Sequence, residues 1–446
     1  MNKKKNILLF LIGAFSMTQV RIIGSIGISE FAVFLAAPFV FVQNYSLLRK
    51  DGFMPVLNLS LLSLAGCCIA SLYNHIEVPF MLRGCASAYS IFAGIVCFHH
   101  LLRGNDSGIK WVLIGFCLTG VINTFFFQTS VESTLYADRA TGFEAAEGVM
   151  SSPIYWIKRI TPFVTLPYRG WYLSTPFAYS VLAPLFMAGF AMLTSASGRS
   201  AALGLIGASA MILIGGKSIC KMRRISKHFA GYLILAILGI WMANLGYRWA
   251  ATSGALGEKA QAKYEQQTQG SSSVLKLLMG GRLAFFVGVY AGCKQPILGY
   301  GPWAVDNYGY MQYFLSKYGT EEDYEAYLNS AVVLFNKVAY IPAHSHIVGF
   351  WISNGIFGLI FWLYVIYKMF EFVGKNIGVV PQWYGLLAAG MPSMLWAIFF
   401  SPYTSRMYFP FYFTMLLFAN AIAKGRMPMP PAMIAEIIKS GAKKKR

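Results

Sequence analysis

The sequence contains little charge, and this scarcity excludes most classes of soluble protein. Only 12% of the 446 residues are charged and 57% are hydrophobic, whereas a typical soluble domain is about 25% charged. Apolar runs of about 20 residues, long enough to cross a hydrocarbon core of about 30 Å, recur along the chain. The composition therefore predicts an all-α polytopic membrane protein. It excludes a soluble enzyme, a secreted disulfide scaffold and a disordered chain.

The chain also lacks the cysteine and histidine spacings that hold metal ions. Its seven cysteines include no C-x-x-C pair, and neither an H-E-x-x-H nor a D-x-D motif is present. The acidic cluster at 321–325 is typical of a solvated loop face. We therefore expect no metal, no cofactor and no disulfide.

The net charge of +20 does not indicate nucleic-acid binding, because of where the charge lies. The two longest polar stretches, 129–174 and 249–343, are balanced, with four acids against four bases and seven against seven. The rest of the chain holds 26 bases and 6 acids, and the excess of bases lies in short loops and at the termini. This positive-inside pattern places the basic loops and both termini in the cytoplasm, and both balanced loops outside it.

Eleven apolar runs can be read as spans, and an odd number of crossings cannot join two cytoplasmic termini. The runs are 6–20, 24–43, 54–73, 80–101, 110–128, 175–196, 200–216, 229–248, 346–367, 380–400 and 407–423. We expect a hidden or re-entrant segment at 150–175, which gives about 12 transmembrane helices. The predicted organisation is transmembrane helices at 1–128, a periplasmic loop at 129–174, transmembrane helices at 175–248, a large, partly helical periplasmic loop at 249–345, transmembrane helices at 346–423 and a basic cytoplasmic tail at 424–446.

Four arginines near the predicted outer face are candidates for chemistry: Arg169, Arg199, Arg282 and Arg406. Arginines at membrane depth face the protein interior or a water-filled cavity. Two or more on one face would form an anion clamp, because guanidinium groups bind phosphate bidentately and keep their charge. Each one alone is equally consistent with an interfacial anchor that snorkels to the headgroups.

A histidine motif in the last third of the chain resembles a known family. His344-Ser345, nine residues, and then Gly355 and Gly358 resemble the H[N/S/Q]-x9-G-x2-G signature of the O-antigen ligase and polymerase family. Three further segments resemble its Arg-led helix, its P-x-L-G-x-G turn and its Ser-Arg helix start: Gly281-Arg282-Leu283, 296–301 and Ser197-Gly198-Arg199-Ser200. The match covers about 190–360 by motif. The glycine between Ser197 and Arg199 departs from the family pattern.

The resemblance implies a metal-independent, inverting glycosyltransferase at the periplasmic face of the bacterial inner membrane. Its donor would be a glycan on undecaprenyl diphosphate. Its acceptor would be a lipid A core sugar in a ligase, or the next lipid-linked repeat in a polymerase. Membrane lipids are expected to contact the basic tail, and a protein that sets chain length is a further candidate partner.

The same resemblance assigns roles to individual residues. Arg199 and Arg282 would hold the diphosphate, and His344 would act as general base on the acceptor hydroxyl or orient it. His346 is not expected to share that role, since alternate residues of a helix point to different faces. Further substrate contacts are expected from residues around this site: Arg169, Tyr300, Trp303 and Arg406.

A lipid-linked oligosaccharide flippase or another secondary transporter is the alternative. Such a protein should show inverted repeats, charged groups at the midplane and interrupted helices in matching halves. Here the candidate residues cluster at one face under a long loop, which favours chemistry at one surface. Ligase and polymerase are not separated by the sequence.

Overall fold

The computed structural model describes the chain in segments. These are 2–16, 19–21, 25–105, 107–122, 182, 184–189, 204–211, 245, 248–250, 252–254, 261, 264–265, 274–318, 340–342, 345–376, 384–403 and 407–421. The named elements are α1 (Asn2–Ala14), β1 (Gln19–Arg21), β2 (Ser25–Gly27), α2 (Ile28–Lys50), α3 (Met54–Tyr73), α4 (Val78–Leu102), α5 (Gly108–Ile122), α6 (Val274–Lys294), α7 (Tyr310–Tyr318), α8 (His346–Asn376), α9 (Tyr384–Phe400) and α10 (Tyr408–Ala421). The predicted loop at 129–174, with its hidden segment, and the tail at 424–446 lie outside the described residues.

The protein is mostly helical and embedded in a membrane, as the composition predicts. Four described helices are long and apolar enough to cross a bilayer: Ile28–Lys50, Met54–Tyr73, Val78–Leu102 and His346–Phe372. Along α2, large apolar side chains spaced at about one helical turn are exposed, which suits contact with lipid: Phe31, Leu35, Phe39 and Val42. The number of spans and the periplasmic position of the long loop stay predictions.

The observed bounds of α3 and α4 are close to the predicted spans, whereas the N-terminal segment departs from its predicted span. Helix α3 covers the predicted 54–73, and α4 exceeds the predicted 80–101 by two residues at its start and one at its end. Helix α1 ends at Ala14 rather than at residue 20, and β1 and β2 form an antiparallel pair after it. Its 13 residues extend about 20 Å, which is shorter than the hydrocarbon core.

Helix α4 lies at the centre of the described bundle. It packs against α2, α3 and α10, and the C-terminal half of the helix is almost wholly buried. Close approach is achieved with small residues, since Gly94 leaves room for the Pro410 ring of α10. Helix α3 packs along α8, and α1 packs along α5. These contacts fix α3, α4 and α8 relative to one another, and the candidate site is built on these three helices.

One end of the bundle, here called the basic end, carries a partly buried ionic cluster between α2 and α4. The Asp51 carboxylate accepts a hydrogen bond from Arg103 Nε at 2.6 Å. The same carboxylate oxygen lies 2.9 Å from Nε2 of His99 and pairs with it. The His99 side chain is fully buried and its ring stacks on Phe418, with centroids 5.4 Å apart. Burial raises the pKa of Asp51, but the hydrogen bonds from Arg103 and His99 outweigh burial and hold the pKa below its usual value.

We predict that Asp51→Asn lowers the free energy of unfolding by about 2 kcal/mol, because the substitution removes a charged acceptor from a buried ring and a guanidinium. Since the carboxylate has a lowered pKa, its contribution is complete at neutral pH and is lost only as the pH falls below about 4. The measurement is the apparent melting temperature of the purified protein in detergent at pH 7. Glu77→Gln, at an exposed acid at the other end of α4, is the control. Equal melting temperatures for the two variants would show that the cluster is not stabilising.

Candidate functional site

Helix α8, which carries most of the histidine motif, is broken at Gly355. The backbone there has φ 63° and ψ −151°, outside the helical region. The His346 and Trp362 rings lie 5.0 Å apart, whereas 16 residues of straight helix would separate them by about 24 Å along the axis. The N-terminal arm, 346–354, therefore folds back along the longer arm, 356–376. The continuous helix expected at 346–367 is interrupted.

The two glycines of the motif explain the reversal. The φ and ψ of Gly355 lie in a region open essentially to glycine alone, and a Cβ there would clash with the carbonyl oxygen of Ile297. One turn later, a Cβ on Gly358 would clash with the carbonyl oxygen of Phe350 in the first arm. The first glycine permits the turn, and the second permits the close packing of the arms. The G-x2-G spacing thus has a structural cause.

A second motif of the resemblance, the turn at 296–301, fills the break. The backbone amides of Tyr300 and Gly301 both donate to the carbonyl of Ile352, at 2.7 and 3.2 Å. The Ile356 amide donates to the carbonyl of Ile297 at 2.8 Å. These bonds satisfy backbone groups that a continuous helix would have paired internally. Two of the motifs that carry the resemblance are therefore in direct contact.

The same turn rests on the hairpin formed by α3 and α4. The Asn74 side-chain amide donates to the Gly299 carbonyl at 3.1 Å, and Pro302 packs on Gly84, whose added Cβ would lie 2.6 Å from the proline ring. In α8, the Asn354 amide donates to the Ser63 hydroxyl at 2.8 Å within the buried interface. Hairpin, turn and broken helix thus form one unit at the end of the bundle opposite the basic end.

The short arm of α8 begins deep in the bundle. The Ser345 hydroxyl accepts a hydrogen bond from the Val348 amide, which caps the helix. His346 Nδ1 lies 2.7 Å from the carbonyl oxygen of Ser401 and donates to it, and its ring meets Tyr403 edge-on. The Tyr403 hydroxyl is 3.4 Å from Ser90, which lies halfway along α4. The helix N-terminus, with its partial positive charge, is therefore inside the membrane-embedded bundle.

Helix α6 carries Arg282 towards that N-terminus. Gly288 lies against Val348, and Gly292 lies against Trp351, so α6 and the short arm run in the same direction. Arg282 precedes Gly288 by six residues in the same helix, about 9 Å along the axis. The backbone of Arg282 therefore lies in the direction of the N-terminal end of the short arm. The side chain of Arg282 lies outside the described residues.

Trp303 belongs to a group of aromatic and cationic side chains next to the 296–301 turn. Its ring is 40% exposed and stacks on Phe80, with centroids 6.1 Å apart. The Arg83 guanidinium lies 5.6 Å from the centre of the same Phe80 ring. Within the part of the chain that the structure describes, the buried Nε of Arg83 has no hydrogen-bond partner. A cation beside a partly exposed aromatic pair suits an anionic ligand that carries a sugar.

Tyr300 has a different environment from Trp303. Its side chain is buried, and its hydroxyl lies 3.1 Å from the Ala291 carbonyl and 2.9 Å from the Tyr310 hydroxyl. Burial and then the hydrogen bond with Tyr310 raise the pKa of the Tyr300 phenol, so it is neutral at physiological pH. This geometry favours a supporting role for Tyr300, whose predicted contact with substrate stays untested.

Several candidate residues fall outside the described part of the chain: Arg169, Arg199, His344 and Arg406. Their predicted roles stay predictions. Three residues at the site were missed from the sequence, namely Arg83, Ser90 and Tyr403. Only Arg83 carried a clear signal, because a charged residue inside the apolar run 80–101 is a candidate functional group by default. Among the described residues, no group of three or more His, Cys, Asp or Glu could hold a metal ion.

We predict that Gly355→Ala greatly lowers the yield of folded protein, because it adds backbone strain of about 1–2 kcal/mol and a clash with the loop that fills the break. Gly52→Ala is the matched control. Gly52 also has a positive φ, but no atom lies within 4 Å of a Cβ placed there. The yield of monodisperse protein after size-exclusion chromatography in detergent measures the effect. Similar yields for both variants would show that the reversal at Gly355 is not required.

The resemblance to O-antigen ligases and polymerases stays a prediction. No protein-family model, no curated protein and no solved structure matches this chain. The spacing of the motif nevertheless has physical causes in this fold: Ser345 caps the short arm, Gly355 reverses the chain and Gly358 lets the arms pack.

Proposed function

We propose that this protein is a metal-independent, inverting glycosyltransferase that moves a glycan from a polyprenyl diphosphate to an acceptor sugar. In this proposal the donor is an undecaprenyl-diphosphate-linked glycan. The active site faces the periplasm from the bacterial inner membrane, and the acceptor is a lipid A core sugar or a lipid-linked repeat. The observation that carries the proposal is the short arm of α8, whose N-terminus is capped by Ser345 and begins inside the membrane-embedded bundle. His344 precedes this cap in the sequence.

The electrostatics around that N-terminus support a diphosphate as the ligand. A helix N-terminus attracts anions, and broken helices of membrane proteins use it to bind anionic groups within the bilayer. Helix α6 carries the backbone of Arg282 in the direction of this N-terminus, and Arg83 supplies a further cation beside Phe80. Fixed cations and backbone dipoles can stabilise a departing diphosphate without a metal ion.

The proposed reaction is a single displacement at the anomeric carbon. The acceptor hydroxyl attacks from the face opposite the diphosphate, the bond from the sugar to the diphosphate breaks, and the configuration inverts. His344 accepts the hydroxyl proton as a neutral imidazole, a role typically worth about 10²–10⁴-fold in rate. Arg282 and Arg199 hold the diphosphate and balance the charge that develops on it. Trp303 offers an exposed aromatic face to a sugar ring.

One observation also favours the alternative, a flippase or another secondary transporter of lipid-linked glycans. Discontinuous helices whose half-helix ends meet an anionic substrate are typical of such transporters, and α8 is discontinuous at Gly355. A transporter moves the donor without making a glycosidic bond. Product analysis in proteoliposomes therefore separates the two functions.

We predict that His344→Asn reduces transfer by about 10²–10⁴-fold, because the general base is lost. The protein is reconstituted with an undecaprenyl-diphosphate-linked glycan and acceptor, and products are measured by mass spectrometry with EDTA present. His346→Asn is the matched control. An Asn amide can replace the Nδ1 donor that His346 offers to Ser401, so this variant should stay folded and active within a few-fold.

Two results would contradict the proposal. Undiminished transfer by His344→Asn would exclude His344 as the base. Movement of the lipid-linked glycan across the bilayer with no new glycosidic bond in the wild type would instead identify a transporter.

We also predict that Arg282→Lys loses most of the activity, since a lysine ammonium cannot make the two parallel hydrogen bonds of a guanidinium to a diphosphate. The measurement is the initial rate of transfer at saturating acceptor. Arg49→Lys, at the basic end of α2, is the control and should be neutral. Wild-type turnover by Arg282→Lys would leave Arg282 only a role as a point charge.

Ligase and polymerase differ in what accumulates when the gene is deleted. Single lipid-linked repeats accumulate if a polymerase is lost, because chains do not begin to grow. Full-length chains accumulate on the lipid if a ligase is lost, because only the hand-over fails. The size distribution of undecaprenyl-diphosphate-linked glycans therefore identifies the acceptor.

A further inference from the structure

Three thiols meet where α3 and α4 pack together, next to the turn that fills the helix break. The Sγ atoms of Cys68 in α3 and Cys85 in α4 lie 3.4 Å apart. Cys67 is buried beside them, and its Sγ is 2.9 Å from a Cβ placed on Gly84. All three are free thiols. The proposed transfer reaction does not use them.

The position of the pair allows reagents to reach it. Cys68 lies five residues before the end of α3 and Cys85 lies seven residues after the start of α4, about 8 and 10 Å from the helix ends. Both side chains are partly exposed, unlike Cys67 and Cys97, which are buried. The pair thus lies one to two turns inside the end of the bundle opposite the basic end.

We propose that Cys68 and Cys85 are a modification site, where a disulfide-containing oxidant converts the two thiols into an intramolecular disulfide. The Cys68 thiolate attacks one sulfur of the oxidant, which forms a mixed disulfide and releases one thiol. The Cys85 thiolate then attacks the Cys68 sulfur, which forms the bond between α3 and α4 and releases the second thiol. Two protein thiols lose two electrons and two protons, and the oxidant disulfide gains both.

The geometry requires little movement for this reaction. A disulfide has a sulfur-to-sulfur distance of about 2.05 Å, so the two sulfurs must approach by a little over 1 Å from their present separation of 3.4 Å. The bond would tie α3 to α4 directly beside Gly84, the residue on which Pro302 packs. Oxidation at this pair would therefore act on the support of the 296–301 turn.

The test uses full-length protein in native membranes treated with 2,2′-dithiodipyridine, an apolar aromatic disulfide. Free thiols are then blocked with N-ethylmaleimide and the protein is digested with trypsin without reductant. Cleavage after Lys50, Arg83 and Arg103 separates the pair, because peptide 51–83 contains Cys67 and Cys68 and peptide 84–103 contains Cys85 and Cys97. We expect these two peptides to be recovered linked and to be released by dithiothreitol. The linked mass is the sum of the two peptides less two hydrogens, plus one maleimide each on Cys67 and Cys97.

Single variants assign the bond. Cys68→Ser and Cys85→Ser should each abolish the linked species, whereas Cys67→Ser and the neighbouring control Cys97→Ser should retain it. Recovery of separate, maleimide-blocked peptides after the exposed Cys293 has reacted with the reagent would overturn the proposal. Loss of the link in Cys67→Ser together with its persistence in Cys68→Ser would also overturn it. None of these outcomes depends on glycan transfer.

Discussion

A helix that breaks inside a membrane must find new partners for its backbone, and the rest of this site depends on how that need is met. In the hydrocarbon core no water is available, so each unpaired amide or carbonyl costs several kcal/mol. Here the break at Gly355 is filled by another piece of backbone, the turn at 296–301, which pairs with Ile352 and Ile356. The turn cannot shift without exposing these groups. The short arm of α8 is therefore held at a defined depth and angle.

The surrounding contacts follow from the same constraint. Small residues allow backbones and rings to approach closely, at Gly84 where Pro302 packs on α4 and at Gly358 where the two arms of α8 meet. Polar side chains occur where a backbone or side-chain partner lies opposite them, as Asn354 meets Ser63 and Asn74 meets the Gly299 carbonyl. The ionic cluster around Asp51 joins α2 to α4 at the far end of the same bundle. These contacts join the hairpin of α3 and α4, the turn and the broken helix into one unit.

The sequence predicts the helices well where apolar patterning alone determines them, and poorly where backbone geometry does. Helix α3 has its predicted bounds because a continuous apolar run ends at the polar turn after Tyr73. The reversal at Gly355 is invisible to hydropathy, since the residues on both sides are equally apolar and a glycine inside such a run is common. The end of α1 at Ala14 was missed for a related reason, because the apolar run continues into β1. At the site, the resemblance identified the motif residues Gly355 and Gly358. Only the structure shows that they allow the chain reversal and the close packing of the arms, and that Ser90 and Tyr403 lie nearby.

The pairing of Asn354 with Ser63 has a consequence for how the chain is made. The two residues are separated by 291 positions, and at about 5–20 residues per second synthesis of that stretch takes roughly 15–60 s. During this time α3 and α4 have been synthesised, but the Ser63 hydroxyl and the surface of Gly84 on which Pro302 packs still lack these partners. Insertion of the late helix α8 then completes an interface that was prepared long before. Biogenesis of this protein therefore includes an interval in which the surface of α3 and α4 that contacts α8 is incomplete. Substitutions that slow the insertion of α8 should increase degradation of the protein and should not alter its chemistry.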